Sequence, residues 1–236
     1  MASKNCPETP RQRMIAMMYL VLTALLALNV SADVLNSFVV VNEGIVATNQ
    51  IFSKKVEASY SIFEAAMAEN PEKTRTAYNK AMEVKQMSID MVDYIENLKA
   101  ELISLTEGIS IEEAKTISAS KLRKRDNYDI PTTFLIGQDQ TTGKDGRANM
   151  LKEKIIEYKT SIINVLDESS RDKVNLTLNV DDMPSSLDKN VTRTWEIGSF
   201  YKIVQIACVA ILNKLVLEVR NSEADVIAQL YADVDA

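Results

Sequence analysis

An all-α fold, in which one N-terminal transmembrane helix runs on into an extracytoplasmic bundle of long helices, is predicted by three features of this 236-residue chain. Six glycines and five prolines leave little material for turns, whereas good helix formers are plentiful. Apolar residues return at steps of three and four along most of the chain. The stretch Met14–Val30 (MIAMMYLVLTALLALNV) carries no charge over about 17 residues, close to the length that crosses a bilayer core. The expected organisation is a short cytoplasmic N-terminus at 1–13, a membrane helix at 14–33 and a periplasmic helical domain at 34–236.

The apolar stretch exceeds the usual 7–15-residue core of a secretory signal, although Val30-Ser31-Ala32 resembles a cleavage site. A retained anchor is the expectation, and a secreted protein with a cleaved signal is the rival. Lys4, Arg11 and Arg13 precede the stretch, and the first charges after it are Asp33 and Glu43. The positive-inside rule then puts the N-terminus in the cytoplasm and the bulk of the chain across the inner membrane. Tyr19 lies deeper than a typical interfacial aromatic. Thr23 and Ala27 form a small-xxx-small pair suited to close contact with a dimer mate or partner helix. No Asp or Glu falls within the stretch, so this helix carries no proton by itself.

From Val34 the apolar positions 34, 38, 41, 45, 52, 56, 63 and 67 trace one helical face, and the anchor is expected to continue as one helix to about Ala68. Gly44 is its weak point, either a hinge or a site of close packing. Asn70-Pro71 reads as N-cap and first residue of a second helix, ended by Gly108. Its expected buried stripe is Val84, Met87, Met91, Ile95, Leu98, Leu102 and Leu105. Ser110-x-x-Glu113 is a capping box opening a helix to about Arg123, with the basic cluster Lys121–Arg125 complementing its C-terminal dipole.

Asp126–Gly146 reads as a loop, holding Pro131 and three of the six glycines. Its GKDG run lacks the spacing of a phosphate loop. A further helix is expected over Met150–Leu166, a strand or extended connector over Val174–Val180, and a last helix over Phe200–Leu230. The apolar section Ile203–Leu212 is too short to recross a bilayer and is read as core.

Composition narrows the function classes. The chain has no histidine, which removes the commonest general base and metal ligand. A net charge of −6 argues against nucleic acid as a partner. Cys6 and Cys208 are placed on opposite sides of the membrane by this topology and form no disulfide. Cys208 sits in an apolar run as a small core residue. Asp181-Asp182 and Glu112-Glu113 read as solvated pairs. The residues contain no catalytic, cofactor or metal constellation, and the expectation is a protein that is not an enzyme. A single-pass sensor or scaffold fits the same residues as well as a machine component does.

Pro10-Arg-Gln-Arg-Met-Ile15, Met18-Tyr-Leu-Val21 and Ala24-Leu-Leu-Ala-Leu-Asn-Val30 together resemble the start of the GldM/PorM family. Val219-Arg-Asn-Ser-Glu-Ala-Asp-Val226 resembles the closing helix of that family's first periplasmic domain. Arg13 and Ala16 depart from the residues most frequent there, lysine and asparagine. The resemblance implies a homodimeric subunit of a proton-driven inner-membrane motor that powers type IX secretion and gliding. Its membrane helices would sit in a ring of a two-span GldL/PorL-like partner, and its periplasmic part would engage outer-membrane-associated secretion components. It also implies that Arg11 is the counter-charge to a carboxylate of the partner, the plainer role of Arg11 and Arg13 being topology and headgroup contact. Family members carry further β-rich domains, so the chain is expected to be a shortened form.

Overall fold

The computed structural model describes residues 9–28, 32–184 and 192–235. The chain divides into two compact units, Met1–Ser37 and Phe38–Ala236. In the first, helix α1 covers Pro10–Leu28, with Thr9 at its head accepting the Gln12 and Arg13 backbone N–H groups on its carbonyl. Among the described residues no helix is long and apolar enough to cross a membrane. The expected span includes residues 29–31, which lie outside the described residues, as does its expected continuity with the next helix, α2 (Ala32–Glu69).

The second unit is helical. From Phe38 onward α2 contributes Val39, Asn42, Val56, Tyr60 and Phe63 to the interior. Asn70 then caps α3 (Pro71–Glu107) by accepting the Lys73 N–H at 3.2 Å, with Pro71 in the first turn where its missing N–H costs nothing. Gly108 ends α3 in the left-handed region (φ 76°), donating its N–H to the Ser104 carbonyl. Val84, Met91, Ile95, Leu98 and Leu102 are buried as expected, and Met87 is partly buried. Leu105 is not: it is 55% exposed, and Thr106 takes the inward position one residue on.

Helix α4 (Ile111–Thr116) opens on Ser110, whose hydroxyl accepts the Glu113 N–H at 3.2 Å. It stops at Thr116, well short of Arg123, because Ile117 turns extended and the chain dips through a short 3-10 turn, Ala119–Lys121, to bury Leu122. The basic cluster is therefore not a helix end. The Glu107 carboxylate accepts the backbone N–H groups of Arg123 and Lys124 at 3.1 and 3.0 Å, and Arg125 Nε donates to the Leu122 carbonyl.

The tract expected to be loop contains α5 (Asp129–Ile136), where Asn127 accepts the Ile130 N–H and Pro131 sits within the first turn. Helix α6 runs over Arg147–Asn164, starting three residues before its expected position. After the short α7 (Glu168–Arg171), residues 174–180 form an extended connector: Leu178 and Val180 are buried while Asn175, Thr177 and Asn179 face out. A two-residue antiparallel pairing, β1 (Met183–Pro184) with β2 (Thr192–Arg193), closes the segment.

The last helix starts at Gln205, later than its expected start at Phe200, and runs unbroken to Asp235. Helix α8 (Trp195–Phe200) and helix α9 (Gln205–Asp235) flank a turn in which Lys202 takes φ 53° and donates its N–H to Thr132 Oγ1. The apolar section is core, with Ile206, Cys208, Val209 and Leu212 buried. Helix α9 lies along α3, and side chains of α2, α5 and α6 complete the apolar interior. Phe63 meets Tyr231 edge-on at 5.2 Å between ring centroids.

Candidate functional site

Of the residues singled out in the sequence, Arg11, Tyr19, Thr23 and Ala27 lie on α1. Arg11 and Tyr19 are exposed, and Thr23 Oγ1 donates back to the carbonyls of Tyr19 and Leu20, a common device that satisfies a hydroxyl within its own helix. Of Ala27 only its place on the helix is described. From Met14 to Leu22 the exposed surface of α1 is apolar, through Met14, Met17, Met18, Leu20, Val21 and Leu22. Gly44 stands apart, within α2 on an exposed face, and a Cβ there would meet nothing within 4 Å in this chain. Close packing inside the chain is therefore not its role.

The bundle holds polar groups that sequence reading did not find. Glu223 is fully buried on α9, accepting the Tyr60 hydroxyl at 2.9 Å and an Arg220 N–H at 3.0 Å. Alongside, the hydroxyls of Ser88 and Tyr158 lie 2.9 Å apart, and Tyr158 reaches the Val219 carbonyl. Burial pushes the Glu223 carboxyl above the usual carboxylate range, against the pull of Arg220 and the Tyr60 hydrogen bond. Burial likewise raises both tyrosines. A signal was present in the sequence, since Glu223 falls on the stripe Val219, Val226, Leu230, where an apolar residue is the default.

A second polar group lines a cleft of about 670 Å³ bordered by α2, α3, α9 and the 114–122 segment. Asn213 donates to Asn42 Oδ1 at 2.7 Å and accepts Lys99 Nζ at 2.6 Å, while Asn49 Nδ2 donates to the Asn213 carbonyl. Elsewhere Lys152 bridges Asp182 at 2.8 Å and the buried Glu196 at 3.5 Å. Asp182 also accepts the Trp195 N–H, so this carboxylate is tied in place although, like Asp181, it is exposed. Its carboxyl is held below the usual range, first by the Lys152 hydrogen bond and then by that of Trp195.

Cys208 is a free, buried thiol pushed up to about 12 by burial, which makes it an inert core side chain. Cys6 lies outside the described residues. Among the described residues no group of three or more Cys, Asp or Glu side chains is placed to hold a metal ion.

Long helices sewn together by buried side-chain hydrogen bonds, joined in sequence to an apolar, basic-headed helix, define an all-α helical domain. The family model for the GldM N-terminal domain matches residues 33–233, and the chain belongs to that family. Membership places it among gliding-motility and type IX secretion components. No curated protein matches it.

Proposed function

We propose that the chain is a subunit of an inner-membrane motor that draws on the proton motive force to power type IX secretion and gliding. In this reading α1 and the residues after it, to Asp33, form the anchor, with the N-terminus in the cytoplasm and the bundle in the periplasm. The observation that carries it is the surface of α1, apolar from Met14 to Leu22 and headed by Arg11 and Arg13, in a member of the GldM family. The helix contains no acid, so the ionisable group of a proton-driven device comes from a two-span partner ring, and Arg11 is its counter-charge.

The motor works as a homodimer. Support comes from α2, where Val40, Gly44, Ala47 and Ile51 follow at steps of four, three and four, continued by Ala58 and Ile62. All are exposed, on a different face from Val39, Val56, Tyr60 and Phe63, and small residues in such a seam suit a second helix at close range. Further partners are outer-membrane-associated secretion components reached through the periplasmic bundle.

The test is a comparison of Arg11→Ala with Arg13→Ala, two residues and so about 200° apart around the helix. Arg11→Ala should copurify with the two-span partner yet lose gliding and secretion, because the partner's acid then shifts towards its neutral form. Arg11→Lys should lose less, and Arg13→Ala should keep activity. Equal behaviour of the two alanine variants would reduce Arg11 to a topology determinant.

A further inference from the structure

The polar cluster at Glu223 is a second polar link between α2 and α9, beside the bonds that Asn42 and Asn49 make to Asn213. Tyr60 reaches it from α2, Arg220 from one turn back on α9, and Tyr158 approaches from α6 with Ser88 of α3 as its partner. Lys85 of α3 lies against the outer side of this group, 4.6 Å from the centre of the Tyr60 ring and 3.9 Å from Glu57. Asp225, on the same helix as Glu223, is also raised by burial, against the pull of Lys55 of α2. These are the charged and titratable groups that α2, α3, α6 and α9 turn towards the site. The Tyr60–Glu223 bond is thus a polar pin between the inward face of α2 and the central helix α9.

We propose that Glu223 is a proton-controlled clasp on α2: with its carboxyl neutral, α2 is held firmly against α9, and with it ionised the hold loosens. The reason is the surroundings. An ionised carboxylate with no access to water must be solvated by protein groups, and here it has one hydroxyl and one guanidinium. A neutral acid sits in the same space at far lower cost and keeps its bond to Tyr60. Unclasping α2 lets water reach the charge, so ionisation favours the open arrangement.

The sign follows by linkage. Because burial raises the Glu223 carboxyl in the folded bundle, its contribution is complete below the unfolded value, about 4.3, and is lost as pH rises through the higher folded value. Each pH unit between the two values corresponds to about tenfold in the opening equilibrium of α2. The clasp depends only on the bundle and stands whether or not the motor reading does.

Hydrogen exchange of the α2 amides in the full chain tests it, measured from about pH 4.5 to 8 and corrected for intrinsic exchange. The wild type should lose protection between Phe52 and Glu69 as pH rises. Glu223→Gln, uncharged and still able to accept from Tyr60, should be protected and flat with pH. Tyr60→Phe removes the pin and should lower α2 protection at every pH, and because that bond also favours the charged form the remaining loss should move to higher pH, which keeps the idea testable if Glu223→Gln fails to fold. Asp225→Asn removes the other α9 carboxyl that burial raises, and the pH-dependent loss should persist without it. A pH-independent wild type, or a Glu223→Gln profile that tracks the wild type, would overturn the proposal.

Discussion

Gly146 shows how much one missing side chain decides. It sits at the N-cap of α6, and a Cβ there would lie 2.1 Å from the Leu135 carbonyl oxygen and 2.4 Å from the Ile136 carbonyl carbon. Those are backbone atoms at the end of α5, so no side-chain rotation relieves the clash, and the glycine lets two helices meet end to side. Gly146→Ala should cost about 3 kcal/mol, at the upper end of what overpacking does, seen as a lowered denaturation midpoint with unchanged slope. A cost under about 0.5 kcal/mol, the range of an ordinary surface change, would mean that α5 and α6 are not this close. In the sequence Gly146 was only half of a failed phosphate loop. A tertiary contact between residues ten apart leaves no mark on local spacing.

Among the elements, α2 carries the most consequence because it has two apolar faces. One is spent inside the bundle, through Val56, Tyr60 and Phe63; the other, through Val40, Gly44, Ala47 and Ile51, is open. Gly44 lies on the open side with nothing near it, and Thr48 donates back to its carbonyl as in any regular helix. In the monomeric bundle Gly44→Ala should therefore stabilise by up to about 1 kcal/mol, raising the melting midpoint by about 2–4 °C for a chain of this size, whereas in the proposed dimer the added methyl should weaken the seam. A drop in the monomer's midpoint would mean that the glycine bends α2.

At the scale of the whole molecule, the sequence was most legible where physics is local. Asn70-Pro71, Gly108 and Ser110 mark helix ends because caps act within a few residues, and each stands where expected. Legibility failed where a distant partner decides. Helix α4 ends early since Leu122 has a core to enter, and α5 forms in a tract rich in Pro and Gly since Leu135 and Ile136 are buried there. The helix expected over 200–230 starts only at Gln205 because Lys202 turns to meet Thr132 of α5. Polar core residues were the deepest miss. Glu223, Glu196 and Asn213 look like surface residues by type, and only their partners Tyr60, Lys152 and Asn42 explain their burial. The apolar surface of α1 from Met14 to Leu22 and the open seam of α2 are the faces on which the proposed membrane and dimer contacts depend.

The central claim, that this family member is a membrane-anchored dimer inside a partner ring, is tested most directly by native mass spectrometry of the complex extracted from membranes. The account predicts two copies of the chain, each with its N-terminus intact, carrying several copies of one small two-span protein. Recovery of the chain in the periplasmic fraction as a monomer beginning near Asp33 would contradict it.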